Sequence, residues 1–321
     1  MIDRRTALCA LGTLAFGARP APAQPAGKLP RIGITVGTDA FYDVFLQALR
    51  EAGWINGRNI VVERRTTLGR REPIPKVVAE VVALKLDVIV ASSPPMIAAF
   101  KRATSTIPIV AIDFESDPVA SGFVAGFPRP GGNITGVFVD LPELAGKQLQ
   151  FLKETVPGLA RVAVLWDTDI GGHQLQATRD AAQLAGLSLE PIGFLRPEDL
   201  APAFDRAVRA RAQAVVILTS PVISLSRKHI VELTLKRRLP TISPFTWLPE
   251  AGILMAYGPS HPDIYRRAAI YVDRILKGAN VGDLPVERPS RFELIINLRT
   301  AEALGVVIPQ SLMQRADRVI Q

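Results

Sequence analysis

The chain has 321 residues, of which 48% are hydrophobic and 21% charged, with a formal net charge of +8. That is about twice a typical domain, and the apolar fraction excludes a disordered chain. A single cysteine, Cys9, excludes a disulfide framework, a cysteine zinc site and any two-cysteine mechanism, whereas the basic excess leaves nucleic acid to be tested by where the charges lie.

The first segment is Met1-Ile2-Asp3-Arg4-Arg5, followed by an apolar run from Thr6 to Gly17 and by Ala21-Pro22-Ala23. A basic start, a short apolar stretch and a small-x-small site predict a secretory signal peptide over residues 1–23, cleaved near Ala23. The run is too short to span a bilayer, and a buried N-terminal helix is the alternative. Arg4-Arg5 leaves both general and twin-arginine export open. Cleavage removes three arginines, one aspartate and Cys9, leaving 35 basic and 29 acidic side chains, a net charge of +6. With no second long apolar segment, a soluble exported protein is expected.

Downstream, short β-rich runs alternate with helical spacing. Arg31 to Val36, Asn59 to Glu63, Leu86 to Ala91 and Ile107 to Ile112 predict strands, with helices between them. After the loop-forming Pro128-Arg129-Pro130-Gly131-Gly132 the rhythm restarts with strands at Ile134–Val139, Arg161–Trp166, Leu187–Ile192, Ala214–Leu218, Pro240–Ser243 and Gly252–Tyr257. Continuous apolar strands separated by helices of about ten residues predict parallel sheets covered on both faces, an α/β chain of two doubly wound, Rossmann-like lobes.

Several chemistries lack their residues. There is no dinucleotide G-x-G-x-x-G turn after the first strand, no phosphate-binding P-loop and no nucleophile elbow. His173, His229 and His261 are far apart with no metal-ligand spacing, and are expected to be solvated loop or helix-end residues. No metal or cofactor is expected, and no enzymatic step. The basic residues form scattered pairs such as Arg64-Arg65 and Arg266-Arg267 with few aromatics beside them, which predicts a solvated surface and no nucleic-acid site. What remains is a ligand site at the carboxyl ends of the strands. Candidate residues there are Thr38 and Asp39, Ser92 and Ser93 before Pro94-Pro95, Asp117 in the acidic loop 113–118, Asp167, Thr168 and Asp169, and Thr219 and Ser220. Helix capping alone is the competing role for each.

Asp117-Pro118-Val119 followed by Phe127-Pro128-Arg129-Pro130-Gly131-Gly132-Asn133-Ile134-Thr135-Gly136 resembles a signature of periplasmic substrate-binding proteins of ABC transporters, the tryptophan/tyrosine type. Tyr257-Gly258-Pro259, Asp273-Arg274-Ile275-Leu276-Lys277-Gly278, Phe292-Glu293-Leu294-Ile295-Ile296-Asn297 and Ala303-Leu304-Gly305 follow the same family in order. The resemblance implies a type I periplasmic-binding-protein fold, two lobes joined by three crossover segments and closing on a small organic ligand. Lobe 1 is then expected over residues 24–133 with 258–290, and lobe 2 over 134–257 with 291–321. By the family's pattern Ser92, Ser93 and Asp117 fall in the pocket. Asp167-Thr168-Asp169 stands where the family commonly has an Asn-Pro sequence, and these acids suit a cationic or ammonium-bearing, amino-acid-like ligand. The implied partners are the ligand and inner-membrane permease subunits, with the protein a monomer. An exported sensing module, or a two-lobed glycosyltransferase-like enzyme, is the alternative.

Overall fold

The computed structural model describes residues 28–36, 39–65, 74–139 and 143–321; the expected signal peptide and Thr38 lie outside them. The first half runs β1 (Arg31–Thr35), α1 (Asp39–Glu51), β2 (Val61–Arg65), α2 (Ile74–Ala83), β3 (Val88–Ser92), α3 (Pro94–Ala103), β4 (Ile109–Asp113) and β5 (Ile134–Phe138). It continues with α4 (Glu143–Thr155), β6 (Arg161–Asp167), α5 (Gly172–Leu184), β7 (Ser188–Phe194), α6 (Leu200–Arg209), β8 (Ala214–Ile217), α7 (Pro221–Leu225), α8 (Arg227–Arg237), β9 (Thr241–Ser243), α9 (Leu248–Ala251) and β10 (Met255–Pro259). The chain ends with α10 (His261–Leu276), β11 (Phe292–Asn297), α11 (Leu298–Leu304), α12 (Gln310–Met313) and β12 (Arg318–Ile320).

Two sheets result, in the orders β2-β1-β3-β4-β5 and β12-β11-β10-β9-β8-β6-β7. Every pairing between these strands is parallel except β10 with β11. Strand periodicity divides each apolar run between two faces. Ile32, Ile34, Val88, Val90, Val110 and Ile112 pack on the side of α1 and α10, whereas Ile89, Ala91, Ile109 and Ala111 pack on the side of α2 and α3. The second sheet is sandwiched likewise, with Val162, Val164 and Val216 on one face and Ala163, Leu165, Val215 and Ile217 on the other. Each fully buried Val, Leu or Ile stabilises by roughly 1.5–3 kcal/mol before entropy is set against it.

The chain crosses between the sheets three times: after β5, between β10 and α10, and before β11. Helix α10 packs on α1, β4 and β5, and so belongs to the first lobe. One expected boundary is corrected. Residues 134–138 were expected to open the second lobe, but β5 pairs along its whole length with β4, from Ile109↔Ile134 to Asp113↔Phe138. The loop 128–132 is therefore a connection inside the first lobe, and the crossing follows Phe138. The outer edge of β5 is covered by returning chain, with Phe138 N–H donating to Glu287 C=O (3.0 Å) and Glu287 N–H to Gly136 C=O (2.9 Å).

Candidate functional site

Parallel sheets place strand ends and following loops on one side, and here the carboxyl ends of β1, β3 and β4 face those of β8 and β9 across the cleft. A cavity of about 720 Å³, its mouth included, lies between them, within the range of small-molecule sites. The first lobe contributes Phe41, Ser92, Ser93, Phe114, Glu115, His261 and Tyr265, and the second Ser220, Ser224, Phe245 and Trp247.

The β3 end is held by a small network. Thr35 Oγ1 donates to Val90 C=O (3.3 Å) and accepts from Ser92 N–H (3.2 Å), and Ser92 Oγ donates to Thr35 C=O (2.5 Å). Ser93 precedes α3 with φ 79° and ψ 143°, and its side chain makes no capping bond. A non-glycine residue at positive φ costs of order 1–3 kcal/mol and concentrates at functional sites. The helix begins with Pro94-Pro95, which have no N–H, so polar contact at this end falls to the serine hydroxyls and the Met96 N–H.

After β4, the fully buried Asp113 accepts from Glu115 N–H (2.8 Å), Ser116 N–H (3.0 Å) and Ser116 Oγ (2.7 Å), folding the loop back on itself. Phe114 then stacks on His261 (4.7 Å between centroids, 13°) and meets Phe245 of the other lobe edge-on at 6.3 Å. His261 also stacks on Phe41 at 5.3 Å, and Phe41 on Tyr265 at 5.1 Å. Aromatic pairs at these separations contribute about 0.5–1.5 kcal/mol each beyond their burial. In the second lobe Ser220 Oγ caps α7 by accepting from Val222 N–H (3.1 Å) and donates to Asp167 Oδ2 (2.6 Å).

Of the residues expected from sequence, Ser92, Ser93 and Ser220 line this cavity. Thr219 lines a smaller adjoining one of about 500 Å³ on the far side of Phe114. Asp167 stands behind Ser220 and orients it. Four acids and hydroxyls do other work. Asp117 accepts from Val119 N–H (2.8 Å) and Ala120 N–H (3.0 Å), capping a turn outside the cavity. Asp39 is exposed and pairs with Arg64 at 2.6 Å. Asp169 donates its N–H to Asp167 (3.0 Å), and Thr168 lines a separate surface hollow with Gly193 and Arg206. His261, expected to be solvated, is 2% exposed because α10 lays it against the β4 loop and Phe41. The aromatic walls at Phe114 and at Phe245–Trp247 were missed; aromatic residues directly after β4 and β9 were the available signal.

Burial and then the Asp113 charge push the Glu115 carboxyl up to about 8, while burial pushes His261 down to about 4. Their effects on stability have opposite signs. His261 binds fewer protons folded than unfolded between pH 4 and 6.5, so its contribution is lost as pH falls through that window. Glu115 binds more protons folded than unfolded, so its contribution is lost as pH rises from 4.5 to 8, with Asp113 displaced in the same direction by burial. Above pH 6.5 the Glu115 contribution still acts and that of His261 does not. Scanning calorimetry of the ligand-free chain is expected to show Tm falling from pH 6.5 to 8, and Glu115→Gln is expected to flatten that slope; a flat wild-type profile would show the carboxyl already ionised.

A family model described as ABC transporter substrate binding protein matches residues 35–320. A tyrosine-binding protein of Clostridioides difficile is 25% identical over 264 residues, covering 82% of this chain and 75% of that protein. Among solved structures, a conserved domain protein of Vibrio cholerae superposes with TM-score 0.83 at 23% identity, over 91% of this chain and 100% of that one. An ABC domain of Streptococcus pneumonia in complex with L-Trp superposes with TM-score 0.82 at 21% identity, over the same shares. These likenesses establish a periplasmic-binding-protein fold, which matches the two lobes and three crossings. A family match over nearly all the described residues goes further, and with it the chain belongs to the ABC transporter substrate binding proteins, solute-binding components that take a small ligand between two lobes.

Proposed function

We propose that this chain is the periplasmic receptor of an ABC importer and that its ligand is an α-amino acid with an aromatic side chain. The observation that carries the reading is the composition of the cleft: rings from both lobes, four serine hydroxyls and one carboxyl, with no lysine or arginine among the described lining residues. A flat ring packs against the aromatic lining of the cavity, to which Phe41 and Phe114 come from one lobe and Phe245 and Trp247 from the other. The ligand carboxylate is held by Ser92 and Ser93, and its ammonium by Glu115. This moves the cation-binding role from Asp167, whose carboxylate is engaged by Ser220, to the loop after β4. The relative described as tyrosine-binding and the structural neighbour holding L-Trp support the ligand class.

A ligand that touches both lobes stabilises the closed arrangement, which docks on permease subunits of the inner membrane. The protein acts as a monomer after export and cleavage near Ala23, without nucleic acid and without catalysis. Calorimetric titration of residues 24–321 with single amino acids tests the ligand class. L-tyrosine, L-tryptophan or L-phenylalanine is expected to bind at least roughly tenfold more tightly than L-leucine or L-arginine, the discrimination an apolar pocket gives by size and shape. Preference for L-arginine would contradict it.

A further inference from the structure

The ligand cavity holds three titratable side chains among the described residues: Glu115, His261 and Tyr265. We infer that Glu115 is a neutral carboxylic acid in the ligand-free cleft and gives up its proton to solvent when a ligand ammonium arrives, so that capture is coupled to release of one proton. The inference rests on the amino-acid reading above and adds to it a pH dependence of the same site.

The geometry sets the protonation state. Asp113 and Glu115 are two residues apart in one loop, 0% and 4% exposed. Two buried carboxyls that close do not both ionise without a compensating cation. Asp113 receives three hydrogen bonds at 2.7–3.0 Å, two of them from backbone N–H groups that no other acceptor takes, and so keeps the negative charge. Glu115 receives one backbone hydrogen bond, from Phe114 N–H at 3.2 Å. Its carboxyl also bonds that of Asp113, a contact that needs a proton on one of the two and leaves Glu115, with fewer other donors, the protonated member.

The surroundings supply no charge to reverse this. From α10, Tyr265 faces the carboxyl and His261 lines the same cavity, and burial holds both neutral by raising the phenol and lowering the imidazole. From the end of β8, the Thr219 side chain lies against it and favours the ionised form less than burial opposes it. From its own loop come the Asp113 charge and the Phe114 N–H. No lysine or arginine lines the cavity among the described residues. The positive charge must therefore come with the ligand. The step balances: the carboxylic O–H of Glu115 breaks, its proton goes to solvent, and the carboxylate formed accepts an N–H from an ammonium that keeps all its protons.

Binding that selects the ionised carboxylate strengthens as more of it is ionised. The affinity is expected to rise about tenfold per pH unit on the acid side of the free group's titration and to level off above it. At pH 7 close to one proton is released per ligand.

Two measurements on residues 24–321 test this. Calorimetry of L-tyrosine binding at pH 7 in phosphate, HEPES and Tris gives the proton count from the dependence of heat on buffer ionisation enthalpy; about one proton released is expected. Carbon-13 NMR of the glutamate carboxyl signal that disappears in Glu115→Gln is expected to show the neutral form in the free chain and the ionised form at saturation. The desamino analogue 3-(4-hydroxyphenyl)propanoate is expected to bind more weakly and release no proton. Buffer-independent heat with L-tyrosine, or an ionised Glu115 in the free chain at pH 7, overturns the inference and leaves the amino-acid reading standing. If L-tyrosine, L-tryptophan and L-phenylalanine all fail to bind, both fall together, even with Glu115 neutral in the free chain.

Discussion

Phe114→Ala is expected to weaken binding of an aromatic amino acid by roughly 100-fold or more, with little change in Tm. Truncating a central aromatic anchor in a desolvated pocket costs about 2–4 kcal/mol of binding free energy. Phe114 has that position: it stacks on His261 at 4.7 Å, meets Phe245 across the cleft at 6.3 Å, and walls off the ligand cavity from the smaller one beside it. Its removal joins the two spaces, admits water beside Glu115 and takes away the contact with Phe245 of the other lobe. The ring is only partly buried and belongs to a loop whose backbone is tied by Asp113, so the fold does not depend on it. Calorimetry and thermal melting of the variant read the two effects separately, and unchanged affinity would place the ligand elsewhere.

The largest effect on stability is expected at Gly136, in the middle of β5. Its φ is +141°, and a Cβ there would lie 2.1 Å from Ala111 O and 2.6 Å from Ala111 N of the neighbouring strand. Neither atom can withdraw without breaking the β4–β5 ladder. The backbone conformation alone costs about 1–3 kcal/mol for a side-chain-bearing residue, and displacement of the strand adds to it. Gly136→Ala is therefore expected to lose about 3 kcal/mol or more of stability, seen as an earlier denaturant transition. Gly132→Ala is the matched control, since nothing lies within 4 Å of a Cβ at that position. Equal midpoints for the two variants would contradict this packing.

The alternation of strands and helices was legible because runs such as Val88–Ala91 are buried on both faces, and only a parallel sheet between helix layers uses such a run. The membership of β5 was not. Residues 134–138 are apolar enough for either sheet, and their partner is chosen by Gly136 fitting against Ala111 and by the returning segment at Glu287, both distant in sequence. At the site, Ser92, Ser93 and Ser220 could be found because each stands between a strand and a helix start. Asp113, Glu115 and Asp117 could not be told apart: two of them tie loop backbone and one faces the cleft, and a carboxylate's local sequence does not record which. The aromatic walls converge from α1, the β4 loop, the segment after β9 and the start of α10. No single segment carries that pattern. His261 was misread for the same reason, since its burial is created by Phe41 and Phe114 from distant elements together with Phe245 and Thr246 from the segment after β9.

The central claim is that the cleft between the lobes receives an aromatic amino acid, its ammonium on Glu115. A crystal structure of residues 24–321 grown with L-tyrosine tests it most directly. The ring is predicted in the cavity that Phe114, Phe245 and Trp247 line, the ammonium nitrogen about 3 Å from the Glu115 carboxylate, and the ligand carboxylate toward Ser92 and Ser93. Ligand density outside this cavity, or a ligand whose ammonium points away from Glu115, would contradict the account.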